Sequence, residues 1–456
     1  KTAVLLGARL EADYVLFGSL TVFGESISTD ARFMDVHQQK PVVTFNQYGK
    51  NQGDIIRHVD IFAGQINATV FGRQTASYRP TPPSQPTADV HAHPDKLWTG
   101  DTTTTMTDYP GALLATDKTS PVSWKSRNFK SNIKGVSVGG VDGDGKNETV
   151  FISDRKVFIY RYMGGRFEKV DEIDGQAMDD FIGVDVADIN QNGKSEIFIT
   201  NLFKKNRIQS FVLEWDGAAF SRIVENENWY YRVLNVPDRG DLLLGQKRGM
   251  DDIFTGGVYA LQWENGRYVP ADRQNLPKPM NIYGFAYGDV QNKGLEMIIA
   301  FTTDDYIQIL NTDGKSAWKS NERFGRGATY LEFPMKDGSS ISGVREMDRY
   351  YLPPRILVDD LDNDGKTEIV VVKNKDTTGF LSRMRVLKSG HIECLTWDNM
   401  GLAPKWKTRT YSKYISDYLL ADIDNDGHNE LVYAVVAIGS DSLKSAKSFI
   451  ISQDVN

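Results

Sequence analysis

Cysteine is nearly absent from this 456-residue chain, where Cys394 stands alone. That excludes an intrachain disulfide and any CxxC metal or redox motif. Long apolar runs are missing too. The stretch Leu431 to Gly439 is among the longest and stops at 9 residues, about half of the ~18 that a membrane-spanning helix requires. Positive charge is in deficit, with 53 Lys+Arg against 60 Asp+Glu for a net charge of -7. This argues against a surface built to neutralise nucleic-acid phosphates or anionic lipid headgroups, and the acidic excess points to cations. With 40% hydrophobic and 11% aromatic residues, 40 Gly and 16 Pro, the chain is neither disordered nor collagen-like and suffices for two domains. It begins at Lys1 without a charged segment and cleavage site ahead of it, as expected of a processed or trimmed form.

Pro80, Pro82, Pro83, Pro86 and Pro94 crowd into one short polar stretch. Such a segment supports neither a helix nor a central strand and reads as an extended linker between domains. His91 and His93 lie inside it, without the further Cys or His that a zinc site needs.

Ahead of the linker, Tyr14–Phe23, Ile27–Val36 and Val42–Tyr48 are rich in β-branched and aromatic residues and are separated by short polar turns. This predicts a three-strand antiparallel meander. Asp54 can cap a following helix with Ile55, Val59, Phe62, Ala63, Ile66 and Val70 at helical spacing and Gly72 as its stop. Lys1 to Ala12 reads as another helix, preceded by no cap, so this domain is expected to lack its opening elements. The segments Ala12 to Ser19 and Asp30 to Val36 resemble the periplasmic α/β domains of bacterial envelope proteins, such as the amino-terminal domain of the Tol-translocation β-propeller protein and the curli secretion-channel family.

Beyond the linker one pattern recurs. Asp360, Asp362, Asp364, Gly365 and Glu368 follow D-x-D-x-D-G-x-x-E, as do Asp422, Asp424, Asp426, Gly427 and Glu430. A third copy reads Asp188, Asn190, Asn192, Gly193, Glu196; in a fourth, Gly140 precedes Asp142, Asp144, Gly145 and Glu148. The fifth is degenerate: Asp289, Gln291, Lys293, Gly294 and a displaced Glu296. Each copy runs directly into an apolar β-type segment, so this is no EF-hand, whose loop is flanked by helices and closed by Glu at position twelve. Oxygen ligands at alternate positions and a glycine at the sharp bend suit a hard cation, Ca²⁺. Asp-Gly alone also marks an ordinary hairpin, but five copies do not recur by accident.

From first position to first position, 140 to 188 is 48 residues, 188 to 289 is 101, 289 to 360 is 71 and 360 to 422 is 62. The double step predicts an eroded copy near Asp238, Arg239, Gly240 and Asp241, and the later steps predict insertions. Gly135, Gly183 and Gly284 each precede position one by five residues. A period near 50 residues with several short strands is the signature of propeller blades. The pattern resembles the FG-GAP/VCBS repeat family of integrin-type β-propellers, which implies calcium held by Asp142, Asp144, Glu148, Asp188, Asn190, Asn192, Glu196, Asp360, Asp362, Asp364, Glu368, Asp422, Asp424, Asp426 and Glu430. The copies near 238 and 289 are expected to be metal-free. Ala112–Thr116 and Val122–Ser126 are expected to complete the last blade, and Ser123-Trp124-Lys125-Ser126 echoes Ala317-Trp318-Lys319-Ser320.

Gly140 to Asn147 nearly spells a phosphate-binding loop, but Asn147 stands where Ser or Thr is needed and the internal Asp side chains repel phosphate. No G-x-S-x-G, H-E-x-x-H or local Cys/His pair occurs, and Cys394 reads as core.

The predicted architecture is mainly β: a small α/β domain (1–77), a Pro-rich linker (78–100) and a calcium-binding β-propeller (101–456), with six blades favoured and seven the alternative. The expected role is a non-enzymatic, extracytoplasmic binding or scaffold module (periplasm, outer-membrane surface or secreted) for a protein or polysaccharide, at the bacterial envelope. Loops of this kind bind calcium at about 10⁻⁴–10⁻³ M in extracellular modules, so they fill outside the cytosol. A self-assembling structural subunit and an enzyme acting over the channel are the rivals; no nucleic-acid partner is expected.

Overall fold

The computed structural model describes residues 12–23, 26–38, 40–49, 58, 61–63, 65–66, 69–70, 123–237, 239–250, 252–334, 347–377, 385–437 and 446–455. The chain divides into two compact units, Lys1–Ala112 and Leu113–Asn456. The expected first helix, the linker with His91 and His93, Ala112–Thr116 and Asp238 lie outside the described residues.

In the first unit, β1 (Tyr14–Phe23), β2 (Ser26–Asp35) and β3 (Lys40–Gly49) form the expected antiparallel meander. Residues 61–63, 65–66 and 69–70 are helical. Phe62 packs on Phe45 with ring centroids 5.1 Å apart, because the alternation of strand and helix periods leaves one apolar face on each.

In the second unit, β4 (Ser123–Lys125) comes first in the chain and joins the last of six antiparallel blades, five of them four-stranded and one five-stranded. Blade 1 is β5 (Gly135–Gly139), β6 (Glu148–Ile152), β7 (Lys156–Met163) and β8 (Arg166–Asp174). Blade 2 is β9 (Phe181–Ala187), β10 (Glu196–Phe203), β12 (Ser210–Trp215) and β13 (Phe220–Glu227), with the short β11 (Arg207–Ile208) beside β10. Blade 3 is β14 (Tyr230–Val236), β15 (Gly240–Lys247), β16 (Thr255–Glu264) and β17 (Arg267–Arg273). Blade 4 is β18 (Phe285–Gly288), β19 (Met297–Phe301), β20 (Tyr306–Leu310) and β21 (Ser316–Arg323). A separate hairpin follows, β22 (Tyr330–Pro334) with β23 (Met347–Tyr351), and accounts for the long step after blade 4. Blade 5 is β24 (Leu357–Asp359), β25 (Glu368–Asp376), β26 (Leu387–Trp397) and β27 (Leu402–Lys407). Blade 6 joins β28 (Tyr414–Ala421), β29 (Glu430–Ala437) and β30 (Lys447–Asp454) to β4.

No single sheet closes on itself. The ring forms because each blade buries an apolar face against the next, and there are six such clusters. The first joins blades 1 and 2 through Val150 and Ile197, and the last joins blades 6 and 1 through Val432 and Phe151. Pairing of Ile451, Ser452 and Gln453 with Lys125, Trp124 and Ser123 ties the two ends of the unit together and covers the edge of β30 there. Trp124 donates its indole N–H to Gly165 O at 2.7 Å, over the hairpin of blade 1. Trp318 sits likewise over blade 5, where a Cβ on Gly401 would meet its Nε1 at 2.5 Å. The sequence echo is thus a repeated blade-to-blade contact. Near the axis, glycine permits close approach: a Cβ on Gly288 would fall 2.4 Å from Val358.

Four side chains plug the ring where the inner strands converge. Arg355, just before β24, donates to Asp417 Oδ1 at 2.8 Å, to Asp417 Oδ2 at 3.0 Å and to Val184 O at 2.9 Å, and also bonds Asp185. Arg232 adds a second cation 3.8 Å from Asp185. Burial pulls Arg355 down, but the two carboxylates outweigh it and hold the guanidinium above its ordinary range.

Candidate metal centres on the acidic loops

Each acidic loop joins the first strand of a blade to the second. The backbone is the same in all five. Position four is left-handed in Gly143, Gln191, Asn292, Asn363 and Asn425, and so is position six in Gly145, Gly193, Gly294, Gly365 and Gly427. Asn tolerates that region and glycine has no Cβ penalty there, so the glycines answer the bend as the sequence implied. The first Asp caps the turn: Asp422 accepts from the amides of Asp426 at 3.1 Å and Gly427 at 3.0 Å, and Asp360 and Asp188 repeat this. The closing Glu accepts the amide of position two, at 3.0 Å from Val141 to Glu148, 2.8 Å from Ile189 to Glu196, 3.1 Å from Leu361 to Glu368 and 3.0 Å from Ile423 to Glu430. Adjacent loops are also cross-linked. Asn147 N donates to Asn425 at 2.6 Å and Thr367 N to Asn292 at 2.9 Å, so position four serves the neighbouring blade.

The carboxylates converge as the spacing implied. Asp422, Asp424, Asp426 and Glu430 present oxygens within 4.8 Å of one another, as do Asp142, Asp144 and Glu148, and Asp360, Asp362 and Glu368. These clusters could hold a metal ion. Asp364 falls outside its cluster and pairs with Lys366 at 3.1 Å. Asp188, Asn190, Asn192 and Glu196 form one hydrogen-bonded loop. His428 is exposed, its Nδ1 3.2 Å from Asp426.

What balances the charge differs from blade to blade. In blade 1 the Arg161 guanidinium sits among the three acids, 2.7 Å from Asp142, 2.8 Å from Asp144 and bonded to Glu148, whose side chain is fully buried. In blade 5 the Lys405 ammonium lies 2.8 Å from Asp362 and 3.0 Å from Glu368. Burial lowers both basic groups, but the neighbouring carboxylates outweigh it and leave both raised. Blade 6 has no such cation: among the described residues no Lys or Arg pairs with Asp422, Asp424 or Glu430. There burial, then the neighbouring acids, pushes Glu430 up to about 7, the mark of unbalanced negative charge in a poorly solvated site. In blade 2, burial lifts Glu196 to about 7, and Glu214 accepts from Asn190 at 2.7 Å and Asn192 at 3.0 Å.

Arg161, Glu214 and Asp454 are absent from the sequence reading, yet they hold one register position. Each follows the residue paired with the one after the loop's Glu: Tyr160 with Thr149, Leu213 with Ile197, Gln453 with Leu431. A sequence search for charged residues on the third strand of each blade would have found them only once the strands were aligned.

The degenerate copies behave differently. Between β14 and β15 there is a tight turn in place of a loop. At 289 to 296 the Lys293 ammonium donates to Gln291 at 3.1 Å, and the displaced Glu296 pairs with Arg239 of blade 3 at 2.6 Å.

Residues 141–199, which span the loops of blades 1 and 2, match the family model of the FG-GAP-like repeat. No curated protein matches the chain by sequence. Among solved structures the chain is similar to BBS1N, solved in complex with ARL6DN, at 12% identity and a TM-score of 0.40, covering 74% of this chain and 98% of that one. It is similar also to a glucose dehydrogenase, at 9% identity and a TM-score of 0.39 over 74% and 100% of the two chains. A third is the soluble aldose sugar dehydrogenase of Escherichia coli, at 11% identity and a TM-score of 0.38 over 73% and 99%. The expectation that the chain is not an enzyme is corrected here. It rested on the lack of a local catalytic motif, and two of the similar chains are dehydrogenases. Residues that a propeller gathers from separate blades leave no such motif. The chain therefore carries an FG-GAP-like repeat within a β-propeller-like fold.

Proposed function

We propose that this chain is a calcium-stabilised propeller that serves as a binding scaffold for another macromolecule outside the cytoplasm, at the bacterial cell envelope or surface. In this reading residues 1–77 are an α/β envelope-type domain, 78–100 a spacer and 101–456 the propeller. The observation that carries the calcium assignment is blade 6, where four carboxylates converge and, among the described residues, no Lys or Arg pairs with Asp422, Asp424 or Glu430. A divalent ion there would supply the missing positive charge and rigidify the hairpin. Asp422, Asp424, Asp426 and Glu430 would hold it, and Asp188, Asn190, Asn192, Glu196 and Glu214 would form the second site. In blades 1 and 5 the ion would compete with Arg161 or Lys405 for Asp142, Asp144 and Glu148, or for Asp360, Asp362 and Glu368. Loops of this class bind calcium at about 10⁻⁴–10⁻³ M in extracellular modules, which supports the location.

Isothermal calorimetry on the full chain tests this. Calcium is expected to bind with Kd near 10⁻⁴–10⁻³ M and to raise the melting temperature. Asp424→Ala should abolish the strongest site, whereas Asp289→Ala should leave the titration unchanged. Absence of calcium heat, or equal effects of the two substitutions, would refute the assignment.

A further inference from the structure

The acidic loops of blades 1, 2, 4, 5 and 6 all lie at the same edge of the blades. At the other edge lie the turns between second and third strands and the segments that enter each blade. There a cavity of about 970 Å³ opens, within the size range of ligand sites. It is walled by blades 1, 2, 5 and 6 and by the β22–β23 hairpin. Its lining holds eight basic and four acidic side chains, in a chain whose net charge is -7.

The acids there are already satisfied. Lys134 pairs with Asp154 at 2.8 Å and with Asp180, Arg349 lies 3.3 Å from Glu332, and Asp179 accepts from Gln176 N and Asn201. Arg385 is held by Asp305 at 3.0 Å. Arg155, Lys204, Lys205 and Lys388 are exposed and have no carboxylate partner among the described residues. They come from three separate walls of the cavity, blades 1, 2 and 5. Between them the walls are apolar: Met178 is 56% and Val386 44% exposed. On the hairpin side Tyr330 and Tyr351 lie 5.5 Å apart, with Arg349 4.4 Å over one ring and Arg385 4.7 Å over the other.

We propose that this cavity captures an acidic peptide segment of a partner protein, in which carboxylates alternate with apolar side chains. The proposal rests on the binding-scaffold reading and names its site and the partner's chemistry. Separated cations match carboxylates spaced along a chain, and exposed Met178 and Val386 need apolar side chains to cover them. A polysaccharide or nucleic acid would satisfy the charges and leave those walls wet.

The test uses the full chain and a fluorescein-labelled peptide of alternating glutamate and leucine, read by anisotropy. Binding is expected to weaken with salt, to vanish for the glutamine/leucine peptide, and to fall about tenfold in Lys204→Glu/Lys205→Glu. Lys388→Glu should weaken it independently. Lys204 and Lys205 lie on an exposed turn and Lys388 is an exposed residue at the start of β26, so both variants should melt as the parent does. Equal affinity for the glutamine/leucine peptide, or no change in the variants, overturns the proposal. So does heparin or DNA binding at this site in preference to the peptide. A partner captured from source extract that is retained undiminished by the variants refutes the cavity site but leaves the scaffold reading standing. A chain that captures no partner and no peptide fails both.

Discussion

Replacing Arg161 by Leu asks whether an internal cation has taken the place of a metal in blade 1. The substitution leaves Asp142, Asp144 and Glu148 clustered without their counter-charge. Breaking a buried ion pair by removing one partner costs about 3–5 kcal/mol. Asp144 is 42% exposed, so its share is screened, and Glu148 keeps the Val141 amide. The lower end, about 3 kcal/mol, is therefore expected in chelator. The same substitution vacates a three-carboxylate site. If calcium then binds with Kd near 10⁻⁴ M, about 10 mM calcium sits at 100 times Kd and restores about 2.7 kcal/mol. Urea unfolding followed by tryptophan fluorescence reads this, because only Trp98 of the eight tryptophans lies outside the unit Leu113–Asn456. The quantity of interest is the calcium-induced gain in the variant minus that in the parent, which cancels blade 6. A difference near zero would refute the idea that Arg161 occupies a metal site, and a loss in chelator below about 1 kcal/mol would refute its role as counter-charge.

Arg355→Met removes the central guanidinium and leaves Asp185 and Asp417 buried with Arg232 alone. A loss of about 3–5 kcal/mol is expected by urea titration, and a variant as stable as the parent would show that blade packing alone holds the ring. Burial pushes the Cys394 thiol from 9.0 up to about 12. The folded chain should therefore resist iodoacetamide at pH 8 and react only after unfolding, as mass spectrometry would show; rapid native labelling would contradict its burial. The sign for stability follows from the raised thiol pKa: the contribution is full below pH 9, the unfolded value, and is lost as the pH climbs towards 12. A Cys394→Ser comparison by thermal melts isolates that term.

The amino-acid sequence by itself determined the repeat and the loops and favoured six blades over seven. These are short-range features: alternate acids, a glycine at the bend and an apolar strand directly after it lie within about ten residues of one another, and one chain segment builds each loop. Val122–Ser126 was legible as an outer strand for the same reason, since the Trp124 motif copies the Trp318 motif. Tertiary structure alone decided which loops keep unbalanced charge. Arg161 reaches Glu148 across 13 residues, and Lys405 reaches Glu368 across 37, through strand register that no local pattern specifies. The same holds for the axial plug, where Asp185, Arg232, Arg355 and Asp417 come from four blades and have no shared motif. The basic cavity is invisible to a net charge of -7 because the ring sends its acids to one edge of the blades and gathers spare lysines at the other.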